Sequence, residues 1–166
     1  MSDLEEAKNR LVENDLTLCI VKKGQIIFET GSHGISGFLD AIEKLGQKLE
    51  GASVADRVAG KAIALLCIYS KVKALYAFTL STKAKELLEG SAIQFEWNDL
   101  VENILNPDGS KICPFEQMAM GISDPREAYQ RLKALQESCS KTRKPRADRE
   151  PFISDEDAKL KRSLKS

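Results

Sequence analysis

The sequence predicts a three-layer α/β/α fold whose mixed sheet begins with a β-hairpin. Two observations carry this prediction. Short runs of strand-forming residues alternate with amphipathic helical segments along most of the chain, which is typical of layered α/β proteins. The first two strand-like runs, LTLCIV and QIIFET, are separated only by KKG. A connection that short favours an antiparallel hairpin.

The helices of the first half follow the spacing of apolar residues. Apolar side chains recur at helical intervals over residues 3–14 and predict a first helix. After the hairpin, the glycine-rich GSHGISG leads into FLDAIEKLGQKL, an amphipathic helix expected to end near Gly51. The stretch SVADRVAGKAIALLCIYSKV is apolar on most faces and predicts a buried helix, with Ser53 and Asp56 at the spacing of a capping box.

The second half predicts further strands and helices in alternation. KALYAFTL has the composition of a strand, and STKAKELLEG that of a capped helix closed by Gly90. AIQFEW predicts another strand, and NDLVENIL a short helix. In SDPREAYQRLKALQESC, Asp124 is a natural N-cap, Pro125 a natural first helical residue, and Glu127 completes a capping box. This last pattern predicts a C-terminal helix over residues 124–139.

The chain divides into one domain over residues 1–139 and a charged tail over residues 140–166. A length of 166 residues favours a single domain with a substantial core. From residue 141 to the end there are nine Lys or Arg and five Asp or Glu, although the whole chain has no formal net charge. We expect the tail to be disordered. Basic residues there are compatible with phosphate contacts, but the tail holds one aromatic residue, so we expect no nucleic-acid binding.

The composition favours a cytoplasmic protein without a cofactor. No apolar run approaches the roughly 20 residues that span a bilayer, and the N-terminal residues lack the apolar stretch of a signal peptide. The four cysteines show no C-x-x-C spacing and the chain has one histidine, so neither a disulfide framework nor a metal site is predicted. The oligomeric state is left open, with a homo-oligomer among the alternatives.

Two short motifs relate the chain to a known family. The first is a D-x-x-x-G-K spacing formed by Asp56, Gly60 and Lys61. The second is a CPFE segment that contains Cys113, Pro114 and Glu116. With their surroundings, over residues 14–122, they resemble the family labelled domain of unknown function 1893, whose fold is similar to cytidine deaminase. Zinc deaminases need an H-x-E helix and a P-C-x-x-C helix. The corresponding segments here read ADRVAGK and STKAK. The resemblance therefore implies the deaminase-like fold without its zinc chemistry, and a nucleoside- or nucleotide-like ligand.

The segment KICPFEQMAMGI supplies a candidate nucleophile. If Pro114 opens a helix, Cys113 is its N-cap and Glu116 its third residue. Free amides and the helix dipole then favour a thiolate at Cys113, whereas the charge of Glu116 competes for the same amides. In this interpretation Cys113 is catalytic, and Asp56 and Glu116 handle protons or orient polar groups. The alternative is a packed short helix with an inert cysteine.

Five further residues are candidates for ligand binding. Lys61 lies among apolar residues, so its ammonium group must reach water, a carboxylate or a bound anion, and Gly60 before it indicates a close approach. Ser81 and Thr82 begin a helix after a strand, where amides can hold an anion, although ordinary capping is the alternative. His33 lies in the glycine-rich loop.

These residues predict a small-molecule pocket, with a reactive cysteine in place of zinc chemistry. A non-catalytic binding or regulatory module that retains the fold is the first alternative. A nucleic-acid-associated protein that uses its basic tail is the second.

Overall fold

A computed structural model describes residues 1–32 and 35–149, which form helices and strands in regular alternation after an initial hairpin. The elements are α1 (Asp3–Glu13), β1 (Leu18–Lys22), β2 (Gln25–Thr30), α2 (Ser36–Leu45), a 3₁₀ helix (Gly46–Leu49), β3 (Ser53–Ala59), α3 (Lys61–Ser70), β4 (Ala74–Ser81), α4 (Thr82–Glu89), β5 (Gln94–Val101), α5 (Pro114–Met120) and α6 (Pro125–Arg149). The predicted α/β class and the hairpin are confirmed.

One mixed sheet carries all five strands in the order β2-β1-β3-β4-β5. Strand β1 is antiparallel to β2 and β3, whereas β3, β4 and β5 are parallel to one another. The hairpin turns at Lys23 and Gly24, whose φ angles of 52° and 76° suit a two-residue hairpin turn. Both turn amides donate to the Asp3 carboxylate at 2.9 Å, which fastens the start of α1 to the hairpin.

Helices cover both faces of the sheet. On one face, Ala7 and Leu11 of α1 pack against Ala55 and Tyr76. On the other face, apolar residues of the remaining helices build the larger core. Because successive side chains of a strand alternate between faces, Asp56 lies on the α3 face of β3.

The first half of the predicted long helix is a strand. Residues 53–59 form β3, and α3 begins only at Lys61, with Gly60 as its N-cap. The helix prediction was wrong there because a short apolar run with β-branched valines suits a strand covered on both faces as well as a buried helix. Ser53 therefore lies buried within β3 and caps no helix.

Two further boundaries differ from the sequence prediction. Strand β5 continues to Val101, paired with Ser81 of β4, so the helix predicted for NDLVENIL is wrong. Helix α6 continues past Cys139 to Arg149. Residues 150–166, the remainder of the predicted tail, lie outside the described residues. None of the helices in the described part of the chain combines the length and the apolar character needed to cross a membrane.

Candidate functional site

The carboxylate of Glu116 lies at the N-terminus of α3. Its Oε1 accepts a hydrogen bond from the Lys61 amide at 2.8 Å, and its Oε2 accepts one from the Ala62 amide at 2.9 Å. The first amides of a helix have no partner within the helix, so the carboxylate satisfies two of them. Glu116 is only 7 % exposed. Buried, charge-assisted hydrogen bonds therefore fasten α5 to α3.

Gly60 makes the space for this carboxylate. A Cβ atom at position 60 would lie 2.3 Å from both Cδ and Oε1 of Glu116, closer than non-bonded atoms approach. The backbone of Gly60 is extended, with φ −103° and ψ −168°, a conformation open to any residue. Glycine is therefore required at this position for room and not for backbone freedom.

The surroundings of Glu116 act on its pKa in opposite directions. Burial is the largest influence and raises the pKa of the carboxyl. The amides of Ala62 and Lys61, and then the ammonium charges of Lys83 and Lys61, lower the pKa in part. The competition of Glu116 for the amides of its own helix, expected from the sequence, is wrong because the carboxylate bonds to the amides of α3.

Cys113 is the N-cap of α5, and Pro114 is the first helical residue, as the sequence predicts. The half-buried thiol makes no capping hydrogen bond. Together with Gly60, Glu116 and Val58 it lines a cavity of about 70 Å³. Pockets for drug-sized ligands run from roughly 300 to 1,000 Å³. The cavity at Cys113 is too small for a nucleotide.

A larger opening lies beside the starts of α3 and α4. This lysine groove has a volume of about 400 Å³ and is lined by Lys61, Lys83, Glu86, Leu87 and Met120. The ammonium group of Lys61 donates to the Met120 carbonyl at 3.4 Å. That of Lys83 donates to Oδ1 of Asn103 at 3.3 Å. Both lysines follow the carboxyl ends of neighbouring parallel strands, β3 and β4.

Ser81 and Thr82 have partners within the protein. The buried Ser81 hydroxyl accepts a hydrogen bond from the Ala84 amide at 3.1 Å and so caps α4. The Thr82 hydroxyl donates to the Glu102 carbonyl at 3.4 Å. The Ser81 contact matches the capping alternative that the sequence left open.

Of the remaining candidates, Asp56 lies away from this site. Asp56 lies in β3 between Leu18 of β1 and Ala77 of β4 and is 8 % exposed. Its Oδ1 accepts a hydrogen bond from the Val58 amide at 3.2 Å. Burial raises the pKa of Asp56 to about 7, although hydrogen bonds from backbone amides lower it in part. Asp56 lines neither the Cys113 cavity nor the lysine groove, and His33 lies outside the described residues.

The structure thus unites part of the predicted set. Gly60, Cys113 and Glu116 share one cavity, and Lys61 donates its amide to Glu116 and lines the groove. Within residues 1–32 and 35–149, no three His, Cys, Asp or Glu side chains are placed to hold a metal ion.

Sequence reasoning missed Lys83 and Met120. Lys83 could have been found, because it follows a strand end at the start of a helix, as Lys61 does. Met120 carries no such signal, since its carbonyl meets Lys61 only through the packing of α5 against α3.

Comparison with known proteins places the chain in a family. A family model described as a domain of unknown function, DUF1893, matches residues 6–135. The crystal structure of a DUF1893 family protein from Thermotoga maritima is 27 % identical, with a TM-score of 0.73, and the match covers 81 % of this chain and 90 % of that one.

Two further solved structures show a weaker likeness. Acinetobacter baumannii RibD is 17 % identical with a TM-score of 0.43, covering 58 % of this chain and 36 % of that one. A diaminohydroxyphosphoribosylaminopyrimidine deaminase/5-amino-6-(5-phosphoribosylamino)uracil reductase from T. maritima is 20 % identical with a TM-score of 0.42, covering 69 % and 39 %. No curated protein matches the chain. By the extent of the family match, this protein belongs to the DUF1893 family.

Proposed function

We propose that this protein is a non-catalytic binding module that takes a small anionic ligand in the lysine groove. The observation that carries the proposal is the placement of two lysines, Lys61 and Lys83, with a single acidic residue, Glu86, on one groove of about 400 Å³. That volume lies within the range of small-molecule sites. The groove also lies at the carboxyl ends of parallel strands, where ligands of open α/β sheets usually bind.

The anion is expected at the lysine side chains and not at the first amides of α3. Glu116 already accepts hydrogen bonds from the amides of Lys61 and Ala62. An anion that replaced it would leave a buried carboxylate without partners, which is costly. The ligand must therefore bind beside Glu116, held by side chains that reach into solvent.

A binding role fits the site better than catalysis by Cys113. A nucleophile needs an electrophile within reach, and the cavity that Cys113 lines measures about 70 Å³. Asp56 was expected to handle protons beside Cys113 but does not line that cavity. The nucleophilic role of Cys113 stays a prediction.

The ligand class follows from the charge of the groove and from the family resemblance. Two lysines and one glutamate, Glu86, give the lining a net positive charge, which favours a phosphate or carboxylate group. The apolar Leu87 and Met120 offer a surface for a less polar part of the same molecule. A nucleotide has both parts, and a nucleotide-like ligand is what the resemblance to the deaminase fold implies.

Calorimetric titration with adenosine 5′-monophosphate tests the proposal, with adenosine, which lacks the phosphate group, as the comparison. The monophosphate is expected to bind, and the double variant Lys61→Gln/Lys83→Gln to bind it roughly tenfold more weakly. Affinity should fall as salt is added, because exposed charges are screened. The double variant Lys44→Gln/Lys48→Gln removes two exposed lysines elsewhere and serves as the matched control.

Two results would overturn the proposal. Equal affinity of the monophosphate for the native protein and for Lys61→Gln/Lys83→Gln would show that the groove lysines do not hold the anion. Failure of the native protein to bind the monophosphate at low salt would show that the groove does not take a nucleotide-like anion and would overturn the proposal.

A further inference from the structure

Strand β5 forms one edge of the sheet. It runs for 8 residues, Gln94–Val101, and its register with β4 is continuous from Ala74↔Gln94 to Ser81↔Val101. Its outer side pairs with no strand in the described part of the chain. Natural edge strands are usually blunted by short length, bulges, proline or lysine. Strand β5 has no bulge, proline or lysine, and its charged side chains are two carboxylates, Glu96 and Asp99. Strand β2 at the opposite edge pairs irregularly with β1.

Apolar side chains are exposed on both faces beside this edge. Trp97 is 38 % exposed on the α4 face, where its ring stacks on Phe95 and lies 5.7 Å from the ammonium group of Lys85. Leu100, on the opposite face by strand alternation, is 43 % exposed, and Phe78 of the neighbouring strand is 36 % exposed. This placement indicates an interaction surface centred on the edge.

We propose that two copies of this chain pair through β5, antiparallel about a two-fold axis at Asn98, and so join their sheets. Because this axis is perpendicular to the sheet, the α4 faces of the two copies lie on the same side of the joined sheet. Facing residues then have sequence numbers of the same parity. The facing pairs are Trp97 with Asp99, Phe95 with Val101, Glu96 with Leu100, and Asn98 with itself.

Charge complementarity favours a second copy as the occupant of this edge. In the proposed register no carboxylate faces another, because Glu96 and Asp99 lie on opposite faces of β5. Asp99 of the second copy lies opposite Trp97 and therefore close to Lys85, which lies over that ring. The contact occurs twice by symmetry. Lys85 is already paired with Glu89 at 2.7 Å, so Asp99 would join an existing cluster of charges.

Sedimentation equilibrium of the full chain tests the pairing. The native protein is expected to be a dimer at concentrations of about 100 µM. Asp99→Lys is expected to weaken the dimer by roughly tenfold or more, since it places a lysine opposite Lys85. Adding Lys85→Glu should restore association by exchanging the two charges. A monomeric native protein, or a dimer indifferent to Asp99→Lys, overturns the proposal.

Disulfide cross-linking tests the register independently. Under mild oxidation Asn98→Cys should give a covalent dimer, because the two copies of that residue face each other across the axis. Ile26→Cys on β2, the other edge of the sheet, is the matched control and should stay monomeric on a denaturing gel. The native chain gives the background from its own four cysteines. Cross-linking no greater at position 98 than at position 26 overturns the register.

Discussion

Replacing Asp56 by asparagine should stabilise the protein at neutral pH and not at acidic pH. The carboxyl is buried in β3, and its pKa is raised from 3.8 to about 7. The ionised form is therefore disfavoured in the folded state. Asparagine has nearly the same shape, carries no charge and keeps an oxygen that can accept the Val58 amide.

The expected magnitude follows from the difference between the two pKa values. Because the folded pKa lies above the unfolded one, ionisation of Asp56 costs nothing below pH 3.8, costs progressively more up to about pH 7, and then reaches a constant value. A difference of about 3 units corresponds to roughly 4 kcal/mol at most. The new amide N–H groups need partners in the same buried place, which offsets part of the gain at every pH. The result that identifies this cause is therefore a stabilisation by Asp56→Asn that grows with pH.

Urea unfolding followed by Trp97 fluorescence measures the effect. Native and Asp56→Asn proteins are compared at about pH 4 and about pH 8, because the free-energy cost of ionising Asp56 differs strongly between these two conditions. The free energy of unfolding of the variant, relative to the native protein, should rise by a few kcal/mol between the two conditions. Asp40→Asn, which removes an exposed carboxylate on α2, controls for the change in net charge. A difference between native and Asp56→Asn proteins that is equal at both pH values would refute the reasoning.

Two further predictions concern Glu116 and the thiols. Gly60→Ala should displace the Glu116 carboxylate and lower the free energy of unfolding by about 2–4 kcal/mol. In a protein that already carries Glu116→Ala, the same substitution should cost at least about 1 kcal/mol less. Urea unfolding of the native protein, the two single variants and the double variant measures these costs, and additive costs would contradict the contact. Ellman's reagent should label Cys113 and Cys139 in the native protein and spare the buried Cys19 and Cys67, because burial raises the pKa of both, that of Cys19 to about 11. Comparison with Cys113→Ser assigns the rates, and a Cys113 that reacts no faster than Cys139 would remove the nucleophile hypothesis.

Local signals allowed several features to be predicted from the sequence. The hairpin follows from the short KKG connection, the start of α4 from Ser81, and the start of α5 from Cys113 and Pro114. Each of these depends on residues within one helical turn or one tight turn. Such features can be predicted because the interacting groups are neighbours in the chain.

The boundary between β3 and α3 depends on distant contacts. The run from Ser53 to Ala59 is apolar enough for either a helix or a strand covered on both faces. What makes it a strand is its pairing with β1 on one side and β4 on the other. Neither partner is specified within the run itself. Tertiary pairing therefore decided a choice that local propensity left open.

The role of Glu116 was only half predicted because it also depends on a contact between residues distant in the chain. Its position as the third residue of α5 follows from the CPFE segment, but its hydrogen bond to the Lys61 amide joins residues 55 positions apart. The two motifs that carry the family resemblance meet at this contact, with Gly60 supplying the room. They therefore act as one structural unit that joins α5 to α3. That unit accounts for Gly60 and Glu116 without any reaction, and it leaves the side chains of Lys61 and Lys83 as the groups that can bind a ligand.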